Sequence, residues 1–268
     1  MSPADSHRVH DQRSREGSEG QRESGTENNL VRLIKPVIVA DDPPGLLDES
    51  IVSSQFYNRF AYSLLAQGAA TVKLTIGVTS ANPGEGKTLV ASNLAVSLAV
   101  ANRRDTVLVD LSILRPRLHS VFGTPLGPGL MEAIAGGSIK VWKTSIDHLH
   151  VLPAGIAGNL DSMGQKSVPS ELSGLYNNEL PALGIEKVVV FRDIVYSLRE
   201  NYEFVIIDMP VLTEPRVPVI LTHQMDGLLV VVDATRTKHR DVEKMFRQVN
   251  TNQVLGFVFN RTSDEDIE

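Results

Sequence analysis

The sequence predicts an α/β fold, a doubly wound and mostly parallel sheet flanked by helices, and three observations carry that expectation. Six apolar, β-rich runs recur: "TVKLTIGVTS" from residue 71, "TVLVDL" from 106, "LHVLP" from 149, "EFVIIDMP" from 203, "GLLVVVDA" from 227 and "VLGFVFN" from 254. Several are apolar almost throughout, as in parallel strands covered on both faces. Helical periodicity separates them: Phe191, Ile194, Val195 and Leu198 fall at i, i+3, i+4 and i+7, as do Val242, Met245, Phe246 and Val249, the spacing of one buried helical face. Finally, a glycine-rich loop joins the first of these strands to a helix. Alternation of this kind places ligands at the carboxyl ends of the strands.

Taken in order, residues 1–29 are rich in Ser, Gly, Glu, Arg and Gln, too polar to offset the entropy of ordering, and are expected to form a disordered tail. Residues 30–70 form an arm and a helix: "LVRLIKPVIVADDPPGLLDES" reads as an extended piece ending in a Pro-Pro-Gly turn, and "SIVSSQFYNRFAYSLLAQG" as a helix. Residues 71–262 hold the alternating pattern of the main domain, interrupted at 155–187 by a long connection rich in turn formers, and 263–268 form an acidic tail.

Composition narrows the function. The 268 residues, 42% hydrophobic, are enough to bury a substantial core. There is no cysteine, which excludes disulfides, thiolate metal sites and a cysteine nucleophile and fits a reducing, cytoplasmic setting. A net charge of −6 argues against a general nucleic-acid surface. No apolar run reaches the roughly 18 residues of a membrane helix, and the first residues lack the apolar core of a signal peptide. A membrane role is therefore expected to come through a partner.

"ANPGEGKT", Ala81–Thr88, fits the phosphate-loop pattern of a small residue, four intervening residues and then Gly-Lys-Thr. It lies between an apolar strand and the helical "KTLVASNLAVSLAV", the setting a phosphate cradle needs. Backbone N–H groups from Gly84 to Lys87 and the helix dipole favour phosphate oxygens there. Lys87 is expected to bridge the β and γ phosphates, and the Thr88 hydroxyl to ligate Mg2+. The nucleotide set is Pro83, Gly84, Glu85, Gly86, Lys87, Thr88 and Leu89. Asp208 ends the buried run "FVIID" and is the expected metal anchor; Asp110, ending "TVLVD", has the same character. The chemistry read from these residues calls for ATP and Mg2+, with Thr88, Asp110 and Asp208 about the metal and Lys87, Asp110 and Asp208 as the catalytic set.

Together "TSANPGEGKT", the "VLVD" strand, "RP" and "LH" after it, "LPAG", "VIID" followed by Pro210, "LLVVVDA" and "GFVFNR" resemble the bacterial tyrosine kinases of polysaccharide biosynthesis, a branch of the MinD/ParA/Mrp-like P-loop ATPases. The likeness runs from about residue 50 to 262. It implies a cytoplasmic P-loop kinase that phosphorylates tyrosines in its own tail and in partners, tied to capsule or exopolysaccharide export. It also implies a separate transmembrane co-polymerase as activating partner, which would hold the chain at the inner face of the plasma membrane. Lys87 and Thr88 take the Walker A roles, Asp110 that of Walker A′ and Asp208 that of Walker B, while Asn260 and Arg261 match a position that contacts adenine.

Three departures point one way. The family's Walker A′ has a second Asp and an Arg where this chain has Ser112 and Leu114. Its tyrosine cluster after the last strand is replaced by "NRTSDEDIE", and the last tyrosine is Tyr202. Its ring-forming Glu-x2-Arg-x2-Arg falls on Gln55, Asn58 and Ala61, which removes charge pairing between subunits and puts a ring in doubt. Two readings stay open: a divergent tyrosine kinase acting in trans with Asp110 as base, and a nucleotide-gated adaptor that transfers little phosphate. A MinD/ParA-type positioning ATPase favours a lysine early in the loop, where Asn82, Pro83 and Gly84 stand.

Lesser signals carry ordinary readings. His148 and His150 invite a metal reading if they share a strand face. Trp142 is expected to pack, and "TRTKHR" at 235–240 to be a solvated helix start. Tyr57, Tyr62 and Tyr176 are the candidates if any tyrosine of the chain is phosphorylated, and packing or surface decoration is their ordinary reading.

Overall fold

The computed structural model describes residues 35–40, 55–67, 73–156, 185–212 and 219–262. The expected tail at 1–29, most of the connection at 155–187, Tyr176 within it and the acidic tail lie outside the described residues. Eight strands form one sheet: β1 (Val37–Ala40), β2 (Leu74–Ser80), β3 (Thr106–Asp110), β4 (Ile139–Lys143), β5 (Leu149–Leu152), β6 (Phe204–Asp208), β7 (Gly227–Asp233) and β8 (Val254–Asn260). Their order is β1-β4-β5-β3-β6-β2-β7-β8. Every neighbouring pair is parallel except β4 with β5.

The helices are α1 (Gln55–Gln67), α2 (Lys87–Val100), α3 (Leu118–Val121), α4 (Leu130–Ile134), α5 (Ile185–Asn201) and α6 (His239–Phe246). They cover the sheet on both faces, which is why its central strands are apolar at successive positions. In β6, Val205 and Ile207 join the core that contains Phe191, Ile194, Val195 and Leu198 of α5. Phe204 and Ile206 point the other way, into the core built on α2. The strand period of two thus feeds two cores from one run of residues. Helix α2 is buried from Val90 to Ala99, because it lies between the sheet and α1, whose Ala61 is fully buried in the same core. The periodicity seen in α5 is the observed buried face; in α6 the helix ends at Phe246, so Val249 reaches the core from beyond it.

Two strands are absent from the sequence reading. The arm contributes β1, paired with β4, and its entry is pinned by Lys35, whose Nζ donates to Ala133 O at 2.7 Å and whose backbone N–H donates to Ser197 Oγ at 2.9 Å. Strand β4, "IKVWK", alternates with lysines and is only five residues long, so its pattern is weak. Trp142 lies on it, buried as expected, with its indole N–H donating to Pro128 O at 3.0 Å.

Candidate nucleotide-binding site

The site is assembled at the carboxyl edge of the three central parallel strands, β3, β6 and β2. After Ser80 the chain leaves β2 and turns through residues 81–86 into α2. Gly84 and Gly86 hold φ of 81° and 99°, a left-handed conformation that glycine adopts without a Cβ penalty. Gly86, without a side chain, gives α2 no side-chain cap, the setting in which a helix N-terminus meets an anion. Gly86 is further constrained because a Cβ there would overlap Asn260 Nδ2. Gly86→Ala is therefore expected to distort the loop at a cost of about 1–3 kcal/mol and to weaken nucleotide binding, measurable by calorimetric titration with MgATP.

Asp208 ends β6 and is fully buried. Its Oδ2 accepts the Thr88 hydroxyl at 2.7 Å, which joins the start of α2 to the sheet. Its Oδ1 is buried with no hydrogen-bond partner. Asp110 is its direct neighbour in the β3–β6 register. Burial first, then the nearby Asp110 charge, push the Asp208 carboxyl above the ordinary carboxylate range, while Thr88 and the Lys87 ammonium oppose the shift. Burial raises the Asp110 carboxyl as well. Two desolvated carboxyls with an orphaned oxygen between strand ends suit a hard divalent cation, and the Thr88 hydroxyl supplies another oxygen at the same place. The residues present thus fit the Mg2+ implied by the sequence.

Asp110 differs from Asp208 in what it holds. Its Oδ1 accepts Ser112 N–H at 3.0 Å, and its Oδ2 accepts Arg117 N–H at 3.0 Å and Leu118 N–H at 3.1 Å. The carboxyl therefore fixes the turn after β3 and caps α3, with most of its acceptor capacity used. Ser112, half-buried, sits on this anchored turn, and Leu114 is exposed.

Asn260 and Arg261 lie against the phosphate loop itself. Asn260 Nδ2 donates to Glu85 O at 2.9 Å, and Arg261 Nη2 donates to Gly84 O at 3.1 Å. Pro83 is exposed, Lys87 half-buried, and Leu89 packs partly into the α2 core. Two contributors, Asp233 and Thr237, escaped the sequence reading, and Glu85, expected there, has a further part. Glu85 is buried, its carboxylate accepting Asn82 N–H and Nδ2 at 3.1 Å each and the Thr237 hydroxyl. Asp233, at the end of β7, binds Arg261. Its signal was present: like Asp110 and Asp208, it is a carboxylate ending a buried parallel strand.

The remaining candidates do not converge on the site. His148 pairs with Asp105 at 2.8 Å, whereas His150 Nδ1 lies 3.2 Å from Tyr202 Oη. No cluster of three acidic or histidine side chains suited to a metal occurs among the described residues. Arg236, Lys238, His239 and Arg240 are exposed at the start of α6, as a solvated helix start requires. Tyr62 is exposed on α1 and Tyr57 half-buried, its burial raising the phenol's pKa. Ala61, facing the core, cannot serve as a surface contact between subunits.

No family model matches the chain. It is 26% identical over 204 residues to the succinoglycan biosynthesis transport protein ExoP of Rhizobium meliloti, covering 74% of this chain and 24% of that protein. The tyrosine-protein kinase CpsD of Streptococcus agalactiae is 26% identical over 196 residues, covering 70% of this chain and 75% of that one. The putative tyrosine-protein kinase CapB of Staphylococcus aureus is 24% identical over 233 residues, covering 85% and 90%. The chain thus spans about a quarter of the first relative's length and most of the other two. Among solved structures, the chimerical protein CapA2B2 superposes with a TM-score of 0.63 at 23% identity, covering 85% of this chain and 95% of that one. MinD of Pyrococcus horikoshii, complexed with Mg-ADP, superposes with a TM-score of 0.50 at 22% identity, covering 73% and 74%. These superpositions establish the P-loop ATPase fold. The chain is thus similar in sequence to a succinoglycan biosynthesis transport protein and to bacterial tyrosine-protein kinases, on that fold.

Proposed function

We propose that the chain binds MgATP at residues 83–89 and transfers the γ-phosphoryl group to a tyrosine of another protein, as a regulator of exopolysaccharide or capsule synthesis and export. The observation that carries this reading is the Thr88–Asp208 contact of 2.7 Å beside the orphaned Asp208 Oδ1. It places a hydroxyl and a carboxylate together at the mouth of a phosphate loop. Bound Mg2+ supplies electrostatic stabilisation of the phosphates and of the charge that develops on transfer.

The chain's own groups then have separable tasks. The amides of Gly84 to Lys87 bind phosphate oxygens, and Lys87 neutralises charge on the γ-phosphoryl group and its bridge to ADP. The tyrosine oxygen forms the new P–O bond as the bond to ADP breaks, and its proton passes to a carboxylate. Asp110, whose pKa burial raises, is the acceptor within the site and a better base than an ordinary carboxylate, while Asp208 would hold the metal.

A second reading is favoured by one observation: Asp110 is engaged by three backbone amides, and Ser112 stands where the family has its second Asp. On that reading the chain is an ATP-gated adaptor that binds nucleotide and transfers little. Labelled ATP offered with a tyrosine-bearing partner fragment separates the two. Transfer by the wild-type chain, lost in Lys87→Ala, supports the kinase. Binding without transfer, with transfer gained in Ser112→Asp by roughly 10-fold or more, supports the adaptor. Absence of MgATP binding by the wild-type chain overturns both.

No helix among the described residues is long and apolar enough to cross a membrane. Location at the inner face of the plasma membrane through a transmembrane co-polymerase is therefore part of the proposal. Co-purification with a membrane protein tests it.

A further inference from the structure

We infer that Asn260, Arg261 and the turn after β7 form a latch behind the phosphate loop, acting as positioning residues that aim its amides at phosphate. The inference rests on the nucleotide-binding reading above and assigns Asn260 and Arg261 a role distinct from adenine contact.

Peptide planarity links the loop's carbonyls to its amides. In a trans peptide the C=O of one residue points opposite to the N–H of the next. Arg261 Nη2 holds Gly84 O at 3.1 Å and Asn260 Nδ2 holds Glu85 O at 2.9 Å. Fixing those two carbonyls from behind turns the N–H groups of Glu85 and Gly86 the other way. Glu85 and Gly86 are two of the residues whose amides are assigned to the phosphates. Donation to the carbonyls also polarises each peptide, which strengthens its N–H as a donor.

The latch is itself held. Arg261 bridges to Asp233, whose carboxylate also accepts the Thr235 N–H at 3.0 Å and the Thr235 hydroxyl at 2.7 Å. Thr235 and Arg261 keep the Asp233 carboxyl below the usual range, so it stays ionised as the guanidinium's partner. The Thr237 hydroxyl accepts Asp233 N–H at 3.1 Å and donates to the buried Glu85 carboxylate. A closed circuit therefore runs from Gly84 through Arg261, Asp233 and Thr237 to Glu85. Arg261 holds a φ of 60°, a conformation that costs a non-glycine residue about 1–3 kcal/mol and persists only where contacts over-determine it. With that backbone conformation the side chain turns back onto the loop from the end of β8.

The test compares wild type, Arg261→Ala, Arg261→Lys and Asn260→Ala for affinity to MgATP and to inorganic tripolyphosphate, which has no base, alongside unfolding midpoints without ligand. The latch predicts that Arg261→Ala weakens both ligands by a similar factor of roughly 5- to 30-fold and lowers the midpoint only modestly, since the guanidinium is 46% exposed and the buried Asp233 carboxylate keeps both Thr235 donors. Arg261→Lys should recover only part of the loss, because a single ammonium cannot span Asp233 and Gly84 O as the fork does. Asn260→Ala should likewise weaken both ligands. Loss for MgATP alone identifies a base contact and overturns the latch while leaving the nucleotide-binding reading intact. Unchanged affinity for both ligands, or a loss that tracks a lowered midpoint in every variant, also overturns it. A wild-type chain that binds neither ligand overturns the reading and the latch together.

Discussion

Lys87→Ala is expected to weaken MgATP binding by about 2–4 kcal/mol, or roughly 30- to 1000-fold, in calorimetric titration. Lys87 opens α2 directly after the left-handed Gly86, and its charge already acts on the buried Asp208 carboxyl. Removing it takes away the only side-chain cation of the loop at 81–88 and leaves two desolvated carboxyls beside the triphosphate. Both changes oppose binding of a tetra-anionic ligand, so the loss should grow when Mg2+ is withheld. The fold should persist, because α2 is held by its apolar residues from Val90 to Ala99. A far-ultraviolet spectrum identical to wild type would show that the loss belongs to the site.

Asp208→Asn and Asp110→Asn are expected to change stability in opposite directions, although the two residues are register partners on adjacent strands. Asp208 has its folded pKa raised by burial and by Asp110. The folded chain therefore holds a proton that the unfolded chain releases, and stability falls as pH rises from the ordinary carboxylate range through the raised folded value. Asp208→Asn removes that fall and keeps an oxygen for the Thr88 hydroxyl. Its unfolding midpoint at neutral pH should exceed that of wild type, with the gap closing as pH drops toward the ordinary carboxylate range. The same substitution should abolish the Mg2+ dependence of nucleotide binding.

Asp110→Asn places an NH2 group where backbone amides of Ser112, or of Arg117 and Leu118, now donate. At least one buried N–H then loses its acceptor, at about 1–3 kcal/mol, and the midpoint should fall by roughly 2–12 °C. Equal shifts in the two variants would contradict the distinct roles assigned to these carboxyls.

The parts of the molecule legible in the sequence are those where one residue pattern has one physical cause. Strands β2, β3, β6 and β7 are buried on both faces, so their apolar runs are long and unmistakable. The phosphate loop announces itself because Gly84 and Gly86 must adopt positive φ and Lys87 must follow at once. β1 and β4 were not legible: β1 has four residues, and β4 interleaves Lys140 and Lys143 with its buried side chains. Four or five positions, two of those in β4 taken by lysines, are too few for a period to show.

In the site, the sequence placed Thr88, Asp110 and Asp208 together because each sits at the end of a predicted element. It did not reveal that Asp110 is spent on the turn after β3, since that depends on where the amides of Arg117 and Leu118 return. Nor did it show Glu85, Asp233 and Thr237 linked behind the loop. Those contacts join residues as far apart as 152 positions, and no local pattern encodes them.

The claim that residues 84–88 grip a triphosphate is tested most directly by hydrogen exchange of backbone amides with and without MgATP. The account predicts that nucleotide slows exchange at Glu85, Gly86, Lys87 and Thr88, with no such slowing in Lys87→Ala. Protection confined to other segments, or none at all at saturating nucleotide, would contradict it.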